Sequence, residues 1–126
     1  IFLWLQAPKS LDITVFLIGA IHMEQVLNNF IVNAKKNVSP KGILRLSLVE
    51  QENMLHFSVY NQGAFIPPEK LPKIWEKFYR DKNVKYNGSG LGLAIAAQIL
   101  SMQNFAYGAE NVSDGVRFFF SIPVVK

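Results

Sequence analysis

Between Met23 and Ala34 the apolar residues recur at three- and four-residue steps, and from Ile43 onward they recur at every second residue; this change of period decides the fold class. Met23, Val26, Leu27, Phe30, Ile31 and Ala34 form one helix face, which Ser39-Pro40-Lys41-Gly42 stops. Ile43, Leu44, Leu46 and Leu48, then Leu55, Phe57 and Val59, are interleaved with Arg45, Ser47, His56 and Ser58, which predicts two strands joined as a hairpin across Glu50 to Asn53. The apolar face of that hairpin needs cover. The helix before it and a second helix predicted over Leu91 to Leu100 are the available partners.

The rest of the chain fits the same plan. Phe2 to Leu5 and Ile13 to Leu17 read as strands separated by Ala7-Pro8-Lys9-Ser10, and Phe105 to Asn111 and Val116 to Val125 as a closing hairpin that turns at Ser113-Asp114-Gly115. Gly63 to Gly90 has weaker patterning, with Pro67-Pro68, a short helix expected around Leu71 to Tyr79, and a polar run from Arg80 to Gly88; a connection of this kind is usually functional or disordered. Its polarity and glycines predict mobility across Arg80 to Gly88 without a ligand and order with one. The expected fold is α+β: a two-layer α/β sandwich over residues 1–126, with a mainly antiparallel mixed sheet and helices on one face.

Composition narrows the function. Of 126 residues half are hydrophobic, which suits one compact core. Only 17% are charged, and 10 Phe, 4 Tyr and 2 Trp supply large apolar surfaces, the opposite of a disordered tail. The formal charge of +4 is mild, and the densest basic run is the pair Lys35-Lys36, so no nucleic-acid partner is expected. There is no cysteine, and His22 and His56 lie far apart, which argues against a disulfide framework or a structural zinc site. The apolar stretch Ile13 to Ile21 falls short of the ~20 residues that span a membrane, and no basic region precedes it. The chain as given reads as soluble, without direct membrane contact, and its start at Ile1 reads as that of an excised fragment.

Two groups of residues point to phosphate chemistry. Asn29 and Asn33 stand four apart on the first helix and share a face, with Lys36 three residues further on. Such a ridge is either a solvated polar face or the wall of a cleft in which carboxamide oxygens ligate Mg2+ and a lysine neutralises phosphate. Gly88-Ser89-Gly90-Leu91-Gly92-Leu93 places glycines at alternate positions ahead of a helix, where backbone amides and the helix dipole favour an anion. The spacing matches neither a Walker loop nor the dinucleotide fingerprint.

In order along the chain, Gln25 to Ala34 (QVLNNFIVNA) resembles the N box, Asn61 to Pro67 (NQGAFIP) a G1 box, Ile74 to Arg80 (IWEKFYR) the F box, and Gly88 to Ile95 (GSGLGLAI) the G2 box of sensor histidine kinases. The resemblance runs from about Phe16 to Pro123, and the stretch Ile74 to Tyr79 points to histidine kinases rather than to the gyrase, heat-shock chaperone or mismatch-repair ATPases of the same superfamily. It implies an ATP-binding catalytic domain that uses ATP and Mg2+ and donates the γ-phosphoryl group to a histidine on a separate dimerisation domain, for relay to a response regulator. It further implies a cytoplasmic domain of a protein anchored in the cell membrane. An anti-sigma-type serine kinase, or a docking module of the same fold that needs no nucleotide, is the alternative.

Carried over residue by residue, the resemblance implies Asn33 as Mg2+ ligand, Asn29 as its support, Lys36 on phosphate, and Arg80 reaching the terminal phosphate; Asn33, Lys36 and Arg80 are the expected catalytic residues. The implied nucleotide site is Asn29, Asn33, Lys36, Asn61, Gly63, Ile66, Phe78, Tyr79, Arg80, Gly88, Ser89, Gly90, Leu91, Gly92 and Leu93. Three positions depart from the family pattern. Asn61 stands where an Asp accepts the adenine amino hydrogen, Phe65 where a second glycine is usual, and Asn37 where many relatives carry an aromatic that stacks on adenine. Neither His22 nor His56 lies in a phosphoacceptor context, and both read as surface residues.

Overall fold

The computed structural model describes residues 2–6, 20–79 and 91–123. Strand β1 (Phe2–Gln6) is followed by helix α1 (Ala20–Asn37) and the hairpin β2 (Ile43–Gln51) and β3 (Met54–Gln62). A 3-10 turn (Lys73–Trp75), helix α2 (Gly92–Met102) and the hairpin β4 (Tyr107–Val112) and β5 (Gly115–Pro123) complete it. The five strands lie in one sheet in the order β1-β2-β3-β5-β4; β1 runs parallel to β2, and every other pair is antiparallel. This is the two-layer α+β arrangement expected, with α1 packed on both β3 and α2.

Local chemistry explains the boundaries. Helix α1 ends before a turn in which Pro40 supplies a fixed φ and Lys41 takes a left-handed one (φ 59), closed by Gly42 N–H donating to the Ser39 carbonyl at 2.8 Å. Glu52 and Asn53, at φ 53 and 62, make the tight β2–β3 turn whose twist matches the strands. At the end of α2, Asn104 is left-handed (φ 59); its N–H donates to Ser101 O at 3.1 Å, and Phe105 N–H donates to Leu100 O at 2.9 Å. This is a Schellman closure, and it delays β4 to Tyr107 rather than the expected Phe105.

The core lies between the helices and one sheet face. Val26, Phe30 and Ala34 of α1 and Ala96 and Leu100 of α2 meet Leu44, Phe57, Val59, Val116, Phe118 and Phe120. Phe30 is its hub, with ring centroids 5.5 Å from Phe118, 5.9 Å from Phe120 and 6.0 Å from Trp75, while Phe57 stacks on Phe120 at 4.7 Å. The opposite sheet face is polar. Arg45 lies over the Tyr60 ring, Arg117 pairs with Glu110, and His56 Nδ1 shares a hydrogen bond of 2.6 Å with Ser121 Oγ, which places His56 at the exposed position expected of it.

One expected element contracts. In place of a helix over Leu71 to Tyr79 there is a single 3-10 turn: Pro72 cannot donate into a preceding turn, Glu76 is extended (ψ 146), and Phe78 is left-handed (φ 62). The expected strand at Ile13 to Leu17 and the final residues Val124 and Val125 lie outside the described residues, as does the expected mobile run Arg80 to Gly88.

Candidate nucleotide site

Helix α1 carries the expected polar ridge, and the fold brings other elements to both of its ends. At the N-terminal side is α2. A β-carbon placed on Gly92 would lie 3.8 Å from both Cγ and Oδ1 of Asn29, so the first residue of α2 sits directly against that carboxamide. Leu91 caps α2 without a side-chain hydrogen bond, and the first i→i−4 bond is Ile95 N–H to Leu91 O at 2.9 Å. The N–H groups of Gly92, Leu93 and Ala94 therefore have no helical acceptor, which makes this terminus a natural seat for an anion. The Nδ2 of Asn29 is buried and has no hydrogen-bond partner.

Towards its C-terminal end, α1 meets the end of β3. Asn33 is 6% exposed. Asn37, one turn on, donates from Nδ2 to the Asn33 carbonyl at 2.8 Å and to Asn33 Oδ1 at 3.3 Å. A backbone carbonyl can only accept, so the Asn37 atom that faces it is the amide nitrogen, and the Asn33 atom turned to that nitrogen is the oxygen. A β-carbon on Gly63 would fall 2.6 Å from the Asn37 carbonyl oxygen and 3.4 Å from Asn61 Nδ2; glycine is required there by close approach. Asn61 itself is 1% exposed, with neither amide atom hydrogen-bonded. Gly115 pins the same strand end, since a β-carbon on it would lie 2.0 Å from the Asn61 carbonyl oxygen.

The loop after Gly63 is tied down at both ends. Gly63 N–H donates to Asp114 O at 2.9 Å. Ile66 N–H donates to Asn111 Oδ1 at 2.9 Å, and Asn111 Nδ2 donates back to Ile66 O at 2.8 Å. Between these anchors Phe65 stands 56% exposed. Replacing Asn111 by alanine removes both bonds of the clamp, which should cost about 1–3 kcal/mol in chemical denaturation. It should also speed amide exchange across 63–66, and exchange as slow as wild type would show that the clamp is not what holds this loop.

Of the expected site residues, Gly92 thus lies against Asn29, Gly63 lies against Asn61 and the Asn37 carbonyl, and Asn33 is bonded to Asn37, while Ile66 is held by Asn111 and packs, like Leu93, against the core. Lys36 is exposed in the last turn, where Lys35 and Lys36 complement the negative helix end. Tyr79 packs against the core, and Phe78 is 68% exposed. Arg80, Gly88, Ser89 and Gly90 lie outside the described residues. Sequence reasoning missed the roles of Asn37, Asn111 and Gly115. The four-residue spacing of Asn33 and Asn37 could have revealed the first; nothing along the chain pairs Asn111 with Ile66, 45 residues away. Among the described residues no group of three or more His, Asp or Glu could hold a metal, so a divalent cation here would depend on carboxamide oxygen and on the ligand's own phosphates.

This two-layer sandwich, with Asn29 set against the uncapped start of α2, is of the kind found in histidine kinase catalytic domains. Solved structures agree. The catalytic domain of histidine kinase ThkA superimposes with a TM-score of 0.78 at 27% identity, over 97% of this chain and 78% of that one. Full-length ShkA, solved with AMPPNP, gives 0.73 at 26% identity over 97% of this chain and 25% of that one. The sensor histidine kinase WalK of Bacillus subtilis is 36% identical over 106 residues, or 79% of this chain and 17% of WalK, and the sensor protein VanSB of Enterococcus faecalis is 35% identical over 104 residues, or 80% and 23%. The chain thus spans about a fifth of these relatives. Residues 19–126 match the profile of the histidine kinase-, DNA gyrase B- and HSP90-like ATPases, and the chain belongs to that family as a sensor histidine kinase catalytic domain.

Proposed function

We propose that residues 1–126 form one domain that binds Mg-ATP and passes the γ-phosphoryl group to a histidine on a separate dimerisation domain. The carrying observation is the uncapped start of α2, whose first N–H groups have no helical acceptor, packed against the carboxamide of Asn29, whose Nδ2 is buried and unpartnered: donors left unmet in this way suit an anion. Phosphates fit those donors, and Asn33 Oδ1, oriented by Asn37, is of the hard oxygen type that Mg2+ takes. When bound, Mg2+ supplies charge neutralisation on the phosphates.

The chain's own residues do the positioning. The N–H groups at the start of α2 and Asn29 hold the phosphates, Lys36 and Arg80 offset charge on them, and Asn61, Gly63 and Ile66 receive the base. Phe78 and Tyr79 lead into the segment that would cover the phosphates, whose far end is Gly88, Ser89 and Gly90. In the transfer the bond from the γ-phosphorus to its bridging oxygen breaks, a phosphorus–nitrogen bond forms on the acceptor imidazole, and ADP leaves. ShkA was solved with AMPPNP, and ThkA has been solved with the response regulator TrrA; for this chain the corresponding partners are its phosphoacceptor domain and, through it, a response regulator. Among the described residues no helix is long and apolar enough to cross a membrane. The likeness to sensor kinases supports placing the domain on the cytoplasmic side of a membrane-anchored protein.

The test is calorimetric titration with Mg-ADP, followed by mixing the chain with its separately produced dimerisation domain and γ-labelled ATP. Saturable binding and acid-labile label on the partner alone are expected. A folded chain that binds no nucleotide would instead establish the docking-module reading.

A further inference from the structure

Along β3 the residues Leu55, Phe57, Val59 and Asn61 are all buried, two apart on the helix-facing side, so the strand's alternation asks for an apolar residue at 61. Its cross-strand neighbours, Leu44 and Val116, are apolar and buried. Asn61 nevertheless occupies that position, with Oδ1 and Nδ2 both unpartnered. An acceptor and a donor are therefore left unmet side by side. A carboxylate there would have left acceptors alone.

Two of the other carboxamides, Asn37 and Asn111, differ from it. Asn37 is locked by the Asn33 carbonyl, and Asn111 by both backbone groups of Ile66. No protein group fixes which way Asn61 turns. Given that this site holds a purine nucleotide, we infer that Asn61 reads the base through an amide that can turn over, and that the site accepts 6-oxo purine nucleotides as well as 6-amino ones. In one orientation Oδ1 accepts from a 6-amino group while Nδ2 donates to N1. In the other, Nδ2 donates to a 6-oxo group while Oδ1 accepts from N1–H. Aspartate cannot make this exchange: a carboxylate rewards an amine at position 6 and repels a carbonyl.

The experiment titrates the wild-type chain, Asn61→Asp and Asn61→Val with Mg-ADP, with Mg-IDP, and with Mg-tripolyphosphate as a probe that lacks a base. IDP isolates position 6, because it has no 2-amino group. Wild-type Kd values for ADP and IDP should agree within about tenfold, and Asn61→Asp should shift their ratio towards ADP by about tenfold or more. Asn61→Val should weaken both nucleotides, leave tripolyphosphate unchanged, and melt no lower than wild type. A wild-type preference for ADP beyond tenfold, or a ratio that Asn61→Asp leaves unmoved, overturns the inference while the nucleotide site stands. If the wild type binds neither nucleotide, the nucleotide reading and this inference fall together.

Discussion

Replacing Asn33 by alanine is expected to weaken Mg-dependent nucleotide binding by at least about tenfold, or about 1.4 kcal/mol, and to leave binding in the presence of a chelator close to wild type. The side chain is 6% exposed, and its oxygen is oriented by Asn37, so a ligand there needs little reordering when a cation arrives. Truncation removes that oxygen and leaves the Asn29 and α2 donors in place. Titrations with and without Mg2+ separate the two contributions, and a melting curve shows whether the variant is folded. A folded variant whose Mg-dependence is intact would remove Asn33 from the metal site.

Phe30→Ala should have the largest effect on the fold, a loss of about 3–5 kcal/mol. Phe30 is fully buried and touches the rings of Phe118 and Phe120 on β5 and of Trp75, so its removal opens a cavity where α1, the sheet and the 3-10 turn meet. For a domain of this size the melting temperature should fall by roughly 10–20 °C. The loss should also reach the proposed site, because Asn29 immediately precedes Phe30 on the helix and Asn33 lies three residues after it. A fall of only a few degrees would mean that the neighbouring rings close the gap.

Much of this was legible in the sequence, for identifiable reasons. Alternation from Leu44 to Val59 and the three- and four-residue steps of α1 each report burial on one face, and burial is what the fold conserves between neighbours in the chain. The carboxamides Asn29 and Asn33 were legible because helix geometry places residues four apart on one side. The clamp of Asn111 on Ile66 was not legible, since it depends on β4 lying beside the loop after β3, and no local pattern carries that distance. The helix expected over Leu71 to Tyr79 failed for a local reason: proline and a left-handed Phe78 outweigh an apolar period of three to four residues. Asn61 was visible as a departure from a family pattern, yet that it occupies a core position emerged only from the register with Leu44 and Val116.

The strand order has a consequence for synthesis. Strand β5, the last of the five described strands, is inserted between β3 and β4, so β4 has no sheet partner until β5 is in place. The end of the proposed site around Asn61 waits on the same event, because Gly63 is tied to Asp114 and Ile66 to Asn111, and Gly115 packs against the Asn61 backbone. A nascent chain emerging from the ribosome can form α1 and the first hairpin from local contacts, but it cannot build this end of the proposed site until β4 and β5 have emerged to close the sheet. A product that stops short of β5 thereby lacks the contacts that hold this end of the proposed site, which form together when β5 closes the sheet.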